Sequence, residues 1–474
     1  MGKYKDLASN TLIFGVCNFT SKLLVFFMLP VYTAVLSREE FGTSDLISST
    51  VSLLAPFLTI AISEACMRFA LDKTHDTKQV FSIGVKTLLI GCLVFFVLGP
   101  LLKKLPGIKG YYVFFVLLFV TTIFDSLLNY FGRGIQKVKI VGIGGIVSSF
   151  TGVGCNLLFL LVFKWGVKGY LLSMIIAHVA ASLTLFVGGK MWKYLTWNSS
   201  LCMAKEMITY SLPLVPNKLS WWITHMSNRY VLNHFCGVAD VGIYSAASRM
   251  PSIIDTFRGI FIEAWQLSMI SEYKKKDSDI FFNSIFKTYN VFMLLITSGL
   301  ILFSKLLGSI LYAKEFEMAW QYAPLLLLSV FFGSLVAFYS PIYLAHKKTN
   351  RLFVFTAMGA VLTVVFNFIL VPVLNIAGTA VASVISYFCI YFSMSIDAKK
   401  YITLTSDSFL LKISYILLST QAFLISFDII APISLISVFL FLGILLVNAK
   451  DIIYLIQVSL NVVLKKRKKS NEDA

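Results

Sequence analysis

Apolar stretches of about twenty residues, separated by short polar connections, recur from one end of this chain to the other. That is the length an α-helix needs to cross a hydrocarbon core of roughly 30 Å. In lipid, backbone polar groups must be satisfied within the protein, so serial runs of this kind leave only a bundle of membrane-spanning helices. Candidate spans fall at about 11–36, 44–67, 80–102, 111–131, 140–163, 167–189, 207–235, 240–270, 288–312, 319–344, 352–374, 376–396, 408–427 and 429–448, or about fourteen in all. Asp451 to Leu464 is short and amphipathic and reads as a segment lying on the membrane surface. The expected fold is therefore an all-α polytopic membrane protein.

Composition agrees: of 474 residues, 58% are hydrophobic and only 14% charged. The net charge of +18 does not call for nucleic acid, because basic residues collect in the cytoplasmic loops of membrane proteins. Lys3/Lys5, Arg68/Lys73/Lys78, Arg133/Lys137/Lys139, Lys190/Lys193/Lys205, Lys274–Lys276, Lys347/Lys348/Arg351, Lys399/Lys400 and Lys465–Lys469 fall on one side if the N-terminus is cytoplasmic. The other side holds few, among them Arg38, Lys103, Lys104, Lys109, Lys164, Lys168 and Lys314. Both termini are thus expected in the cytoplasm, with every connection too short for a folded extramembrane domain. Lys22 and Pro30, with no small-residue cleavage site, make the first span a retained helix.

Several chemistries are excluded. The seven cysteines stand singly, which argues against zinc and against a disulfide framework. No P-loop or H-E-x-x-H occurs, and no metal or cofactor is expected. Gly142-Ile143-Gly144-Gly145 lies inside an apolar span, where Gly144, Ser148 and Gly152 read as small residues for close helix packing.

The chain also echoes itself. Glu40-Phe41-Gly42 opens the second span and Asp240-Val241-Gly242 the eighth. Asn156-Leu157-Leu158-Phe159 followed by Lys168-Gly169 resembles Asn367-Phe368-Ile369-Leu370 followed by Ala377-Gly378. Offsets near 200 residues imply two parallel six-helix repeats, a common transporter plan. The expected divisions are 1–190, a linker 191–206, 207–400, two accessory spans in 401–448, and an interfacial segment with basic tail in 449–474.

Charges at membrane depth cost several kcal/mol or more and normally face a bundle interior or wet cavity. They concentrate between Met207 and Ile270. Lys218, Trp222, His225 and Arg229 share one face of the seventh span, broadened by Asn217. Arg249, Asp255, Arg258 and Glu263 follow in the eighth. Asn18 and Lys22 repeat the theme in the first. Asp255 and Arg258 can neutralise each other, as can Glu64 and Arg68. Cations nevertheless outnumber carboxylates in this pair of spans, so a passage for an anion is expected. Asp255 and Glu263 are candidates for coupling to H+ or Na+. Asp125 and His178 read as isolated polar groups.

Ser211-Leu212-Pro213-Leu214-Val215-Pro216-Asn217, Ser220-Trp221-Trp222, Asp240-Val241-Gly242-Ile243-Tyr244, Ala247-Ser248-Arg249-Met250-Pro251 and Ala264-Trp265-Gln266 together resemble Wzx-type polysaccharide flippases of the multidrug/oligosaccharidyl-lipid/polysaccharide exporter superfamily. The resemblance implies a V-shaped pair of six-helix lobes plus two C-terminal helices, and a transporter rather than an enzyme. It implies movement of an undecaprenyl-diphosphate-linked oligosaccharide, for O-antigen, capsule or a related glycan, to the outer leaflet of the cell membrane (the inner membrane in a Gram-negative bacterium). Membrane lipid and glycan polymerase or chain-length proteins are the partners it suggests. Lys22, Lys218, Arg229, Arg249 and Arg258 would meet the diphosphate; Asn18, Asn217, Trp221, Trp222, His225, Tyr244 and Trp265 would line the cavity or face sugars. An ion-coupled exporter of small drugs or metabolites, and a membrane glycan polymerase or ligase, are the competing readings.

Overall fold

The computed structural model describes residues 26–72, 74–104, 108–196, 199–272, 278–346, 348–402, 409–427 and 433–453. Asn18 and Lys22 lie outside them, as does the side chain of Glu263. Among the described residues the chain is helical throughout, with no strand. Among the described residues eight helices are long and apolar enough to cross a membrane, or nine if a pair bent by 56° is one span.

The first of the fourteen expected spans lies mostly outside the described residues, and the rest of the difference has local causes. The bent pair is α2 (Arg38–Leu58) and α3 (Ile62–Leu71), preceded by α1 (Leu29–Val35). Pro56 lies in the last turn of α2, and Ile60 and Ala61 then take left-handed φ of 51° and 49°. A β-branched residue there is strained. The expected eighth span is likewise two helices, α10 (Val238–Ala247) and α11 (Ser252–Glu272), parted before Pro251, which lacks the N–H to continue the helix. The remaining helices are α4 (Thr77–Val97), α5 (Tyr112–Gly134), α6 (Val138–Leu157), α7 (Gly166–Gly188), α8 (Leu201–Ser211), α9 (Leu214–Cys236), α12 (Ser278–Leu302), α13 (Ser304–Leu311), α14 (Ala319–Ala345), α15 (Thr349–Ala398), α16 (Phe409–Phe427) and α17 (Ile433–Val447). Pro324 and Pro341 are carried inside α14 without interrupting it. Helix α15 is two helices joined across Asn375, whose φ of 50° and ψ of −127° break it three residues after Pro372.

Contacts divide the chain into two compact units. The first holds residues 1–249 with 311–317. Its apolar core runs through Ile47, Phe81, Phe95, Phe119 and Phe131, with Phe95 stacked on Phe119 at 4.1 Å. Small residues set the spacing of α6 and α7: a Cβ on Gly152 would touch that of Ala177 at 3.4 Å, and one on Gly144 would reach Leu185 at 3.2 Å. Asp125 and His178, expected to be isolated, are partners instead, with His178 Nδ1 2.8 Å from Asp125 Oδ2 between α5 and α7. A buried polar side chain in a helix bundle is costly until it finds such a partner.

The second unit holds 250–310 and 318–474. Its centre is an aromatic stack of Phe261, Trp265, Tyr289 and Phe338, with centroids as close as 4.1 Å. Helices α16 and α17 are fastened into it by buried amides. Gln421 Oε1 accepts from Ser298 at 2.6 Å and its Nε2 donates to Ser437 at 3.0 Å; Asn448 Nδ2 donates to Ser414 at 2.8 Å.

Candidate functional site

The echo between the second and eighth spans becomes a contact. Helices α2 and α10 cross with Gly42 against Gly242. A Cβ on Gly42 would strike the Val238 carbonyl oxygen, and one on Gly242 the Arg38 carbonyl oxygen. Each glycine thus meets the residue four before the other, the pattern of a two-fold axis through the crossing. Only glycine permits backbones this close. One turn further along, Ser245 Oγ donates to Asp45 Oδ2 at 2.7 Å, and these two residues are themselves 200 positions apart.

Asp45 is the hub of the site. The Nε of Arg229, from α9, donates to it at close range, and Arg229 Nη1 also donates to the His225 carbonyl at 3.1 Å. Arg249 approaches the other carboxylate oxygen at 3.9 Å. The two arginines are held differently. Arg229 has 11% side-chain exposure, lies over the Tyr244 ring and is seated firmly. Arg249 has 32%, lies over the Phe41 ring at 5.9 Å, and has Tyr170 as a further hydrogen-bond partner. Tyr32, Phe41 and Tyr170 pack edge to face or stacked around it.

A second pair lies below the break in the bent helix. Lys218 Nζ is 2.5 Å from Glu64 Oε1, with the Tyr130 ring 6.0 Å from the ammonium. The left-handed residues Ile60 and Ala61 redirect the chain so that Glu64 meets α9. Glu64 therefore pairs with Lys218, not with Arg68 four residues on. In the second unit Arg258 pairs with Asp255 at 2.9 Å on the same helix.

These pairs correct one expectation. The excess of cations within the seventh and eighth spans is met by carboxylates of the second, Asp45 and Glu64. The sequence reading paired Glu64 with Arg68 and assigned neither Glu64 nor Asp45 to the site. The available signal was Asp45 beginning a polar stripe with Ser49 and Ser52 in an otherwise apolar helix.

The aromatic candidates separate as well. Trp222 Nε1 donates to the Ser49 carbonyl at 3.0 Å and Ser52 Oγ at 3.1 Å, tying α9 to α2. Tyr244 is buried and accepts from Asn228 at 2.9 Å. Trp265 is 2% exposed, donates to the Phe338 carbonyl and is stacked on its ring. Neither Tyr244 nor Trp265 presents a free face to a sugar here. Trp221 is half-buried and stacks on His225 at 5.5 Å, and Asn217 is half-buried beside Lys218.

A chain built this way, charged groups paired across apolar helices, is a multi-pass membrane protein. Residues 7–266 match the family of polysaccharide biosynthesis proteins, and the chain belongs to that family. A putative O-antigen transporter from Shigella dysenteriae is 23% identical over 340 residues, 67% of this chain and 80% of the relative. Among solved structures, the lipid II flippase MurJ in an inward closed conformation superposes with a TM-score of 0.70 at 15% identity, covering 93% of this chain and all of that one. An inward-facing multidrug resistance MATE family transporter of the MOP superfamily gives 0.65 at 13%, covering 82% and 96%. The chain therefore shares the fold of these two membrane proteins.

Proposed function

We propose that this protein is a flippase that carries a diphosphate-linked lipid oligosaccharide from the cytoplasmic to the outer leaflet, with both termini cytoplasmic and the chain organised as two six-helix repeats. Family membership and the name of the Shigella relative support transport in polysaccharide biosynthesis. The single observation that carries the substrate class is the geometry at Asp45. One carboxylate receives two guanidiniums, and the second, Arg249, is held at 3.9 Å with a third of its side chain exposed. A diphosphate offers bidentate hydrogen bonding that a distant carboxylate does not, so Arg249 is the cation an entering pyrophosphate captures first. Lys218, in the Glu64 pair, is the next. A cationic drug would meet repulsion at the same groups. Arg258 with Asp255 supplies a further cation, and Asp255 and Glu263 are the groups proposed to couple transport to H+ or Na+.

The test is surface glycan in a strain dependent on this gene product. Arg249→Ala and Lys218→Ala are expected to abolish it while protein remains in the membrane, with Arg249→Lys retaining part. Normal glycan in both alanine variants would remove the diphosphate assignment. Transport that survives collapse of the ion gradients in wild type would end the coupling role of Asp255.

A further inference from the structure

A cavity of about 480 Å³ in the first unit has no part in the charged site. Glu40 at the start of α2, Tyr111 and Phe114 at the start of α5, and Trp165, Lys168 and Leu172 around the start of α7 line it. These belong to three connections, each joining an odd-numbered expected span to the next even one. Alternate crossing puts such connections on one face of the membrane, the outer face in the topology proposed above.

Its chemistry is specific. The Trp165 indole lies near-parallel to Phe159 and Phe163 at 5.2 and 5.0 Å, and those two rings are 6.1 Å apart. Rings on opposite faces of an indole would stand about 7 Å apart, two stacking layers of roughly 3.5 Å. Both phenyl rings therefore lie to one side, and the indole, 49% exposed, keeps its other face open. Glu40 is fixed in place: its Oε2 accepts the Ser37 N–H at 2.9 Å while its own N–H donates to Ser37 Oγ. Gly166 lies directly against this carboxylate with a φ of +54°, and a Cβ there would run into Glu40 Oε1. The backbone is thus shaped to hold a carboxylate beside an open aromatic face, with Lys168 also lining the cavity.

We infer that this cavity is a sugar-binding subsite for the transported glycan, taking one or two rings. The apolar face of a pyranose lies on the indole, Glu40 accepts from its hydroxyls, and Lys168 donates to them. The volume lies within the range of small-molecule sites. A phosphoethanolamine headgroup could use Glu40 and Lys168 and set its ammonium over the indole, but it has no flat apolar face to cover the ring as a pyranose does, so sugar is the better fit. The subsite rests on the flippase reading. It adds to that reading a point where the glycan, separately from its diphosphate, is held after crossing.

The experiment uses the purified full chain in phosphatidylglycerol nanodiscs and saturation-transfer NMR with a panel of hexoses, N-acetylhexosamines and hexuronic acids. At least one sugar is expected to bind in the millimolar range. Trp165→Ala, and Leu172→Trp, which fills the cavity and keeps the indole, should each weaken it at least tenfold, with Trp165→Phe recovering part. No sugar binding in wild type, or binding unchanged in Leu172→Trp, overturns the assignment, as does a site that takes glycerophosphoethanolamine and no sugar. Surface glycan separates the two readings. Lost binding in Leu172→Trp with an unaltered export rate would remove the subsite from transport and leave the flippase reading to the Arg249 and Lys218 variants.

Discussion

The two units differ in how deeply they bury the cations of their ion pairs between helices. In the first, Asp45 and Glu64 reach across to Arg229 and Lys218 on α9 and to Arg249 in the turn after α10. In the second, Arg258 is satisfied by Asp255 one turn away on its own helix, the ion pairs between helical segments, Lys287 with Asp451 and Arg351 with Asp397, use cations that are half exposed, and the fully buried ties are neutral: Gln421 to Ser298 and Ser437, Asn448 to Ser414. A pair within one helix survives any movement of that helix. A pair across helices breaks when they part, and each side is then left with a charge in an apolar setting. The first unit, whose paired cations are the less exposed, is therefore where helix position and charge satisfaction are coupled most strongly, and where an anionic ligand gains most by replacing a carboxylate.

The comparison is broken most severely at Asp45. Removing one partner of a buried pair costs about 3–5 kcal/mol, because the other is left uncompensated. Asp45→Asn should therefore lower the unfolding midpoint in detergent more than any other single change considered, and adding Arg229→Gln should recover part. Asp255→Asn should cost far less, since Arg258 is more exposed than Arg229. Equal losses in the two would erase the distinction between the units.

The glycines give a second contrast. Gly42 and Gly242 meet backbone oxygens that cannot yield, so alanine at either should destabilise by about 1–3 kcal/mol, and by similar amounts if the crossing is two-fold. Gly259 in α11 has open space where its Cβ would go. Alanine there should be neutral or slightly stabilising by helix propensity. Thermal unfolding of the three variants in one detergent is the measurement.

Much of this was legible beforehand, and for a physical reason: lipid forces apolar runs into helices, so hydropathy reads the class directly. The echo at Gly42 and Gly242 was visible too, as a spacing, although not that the two glycines touch. What could not be read is who pairs with whom. Asp45 lies 184 residues from Arg229, and Glu64 faces Lys218 only because Ile60 and Ala61 turn the chain. Nothing local marks Ile60 as left-handed, since a β-branched residue disfavours it. The closed faces of Trp265 and Tyr244 were hidden for the same reason, being covered by partners distant in sequence or a turn of helix away.

Smaller effects sharpen the comparison from its edges. Gln421→Leu strands the hydroxyls of Ser298 and Ser437, a loss of about 1 kcal/mol that should leave surface glycan unchanged. The smallest effect belongs to the turn between α3 and α4, outside the membrane-spanning segments. There the Thr74 N–H and hydroxyl both donate to Asp72, at 3.1 and 2.8 Å, and hold its carboxyl below the usual 3.8. A depressed carboxyl contributes stability that is complete above its unfolded pKa and is lost as pH falls through the folded one. Asp72→Asn should therefore differ little from wild type under strongly acidic conditions and be slightly less stable at neutral pH. Asp72 lies at the surface with its side chain 38% exposed, so the gap should also shrink as salt is raised. Unfolding midpoints at pH 7 and near pH 3, with and without added salt, test this; a larger gap at the acid end would mean that the carboxylate is a liability in the fold and not a support.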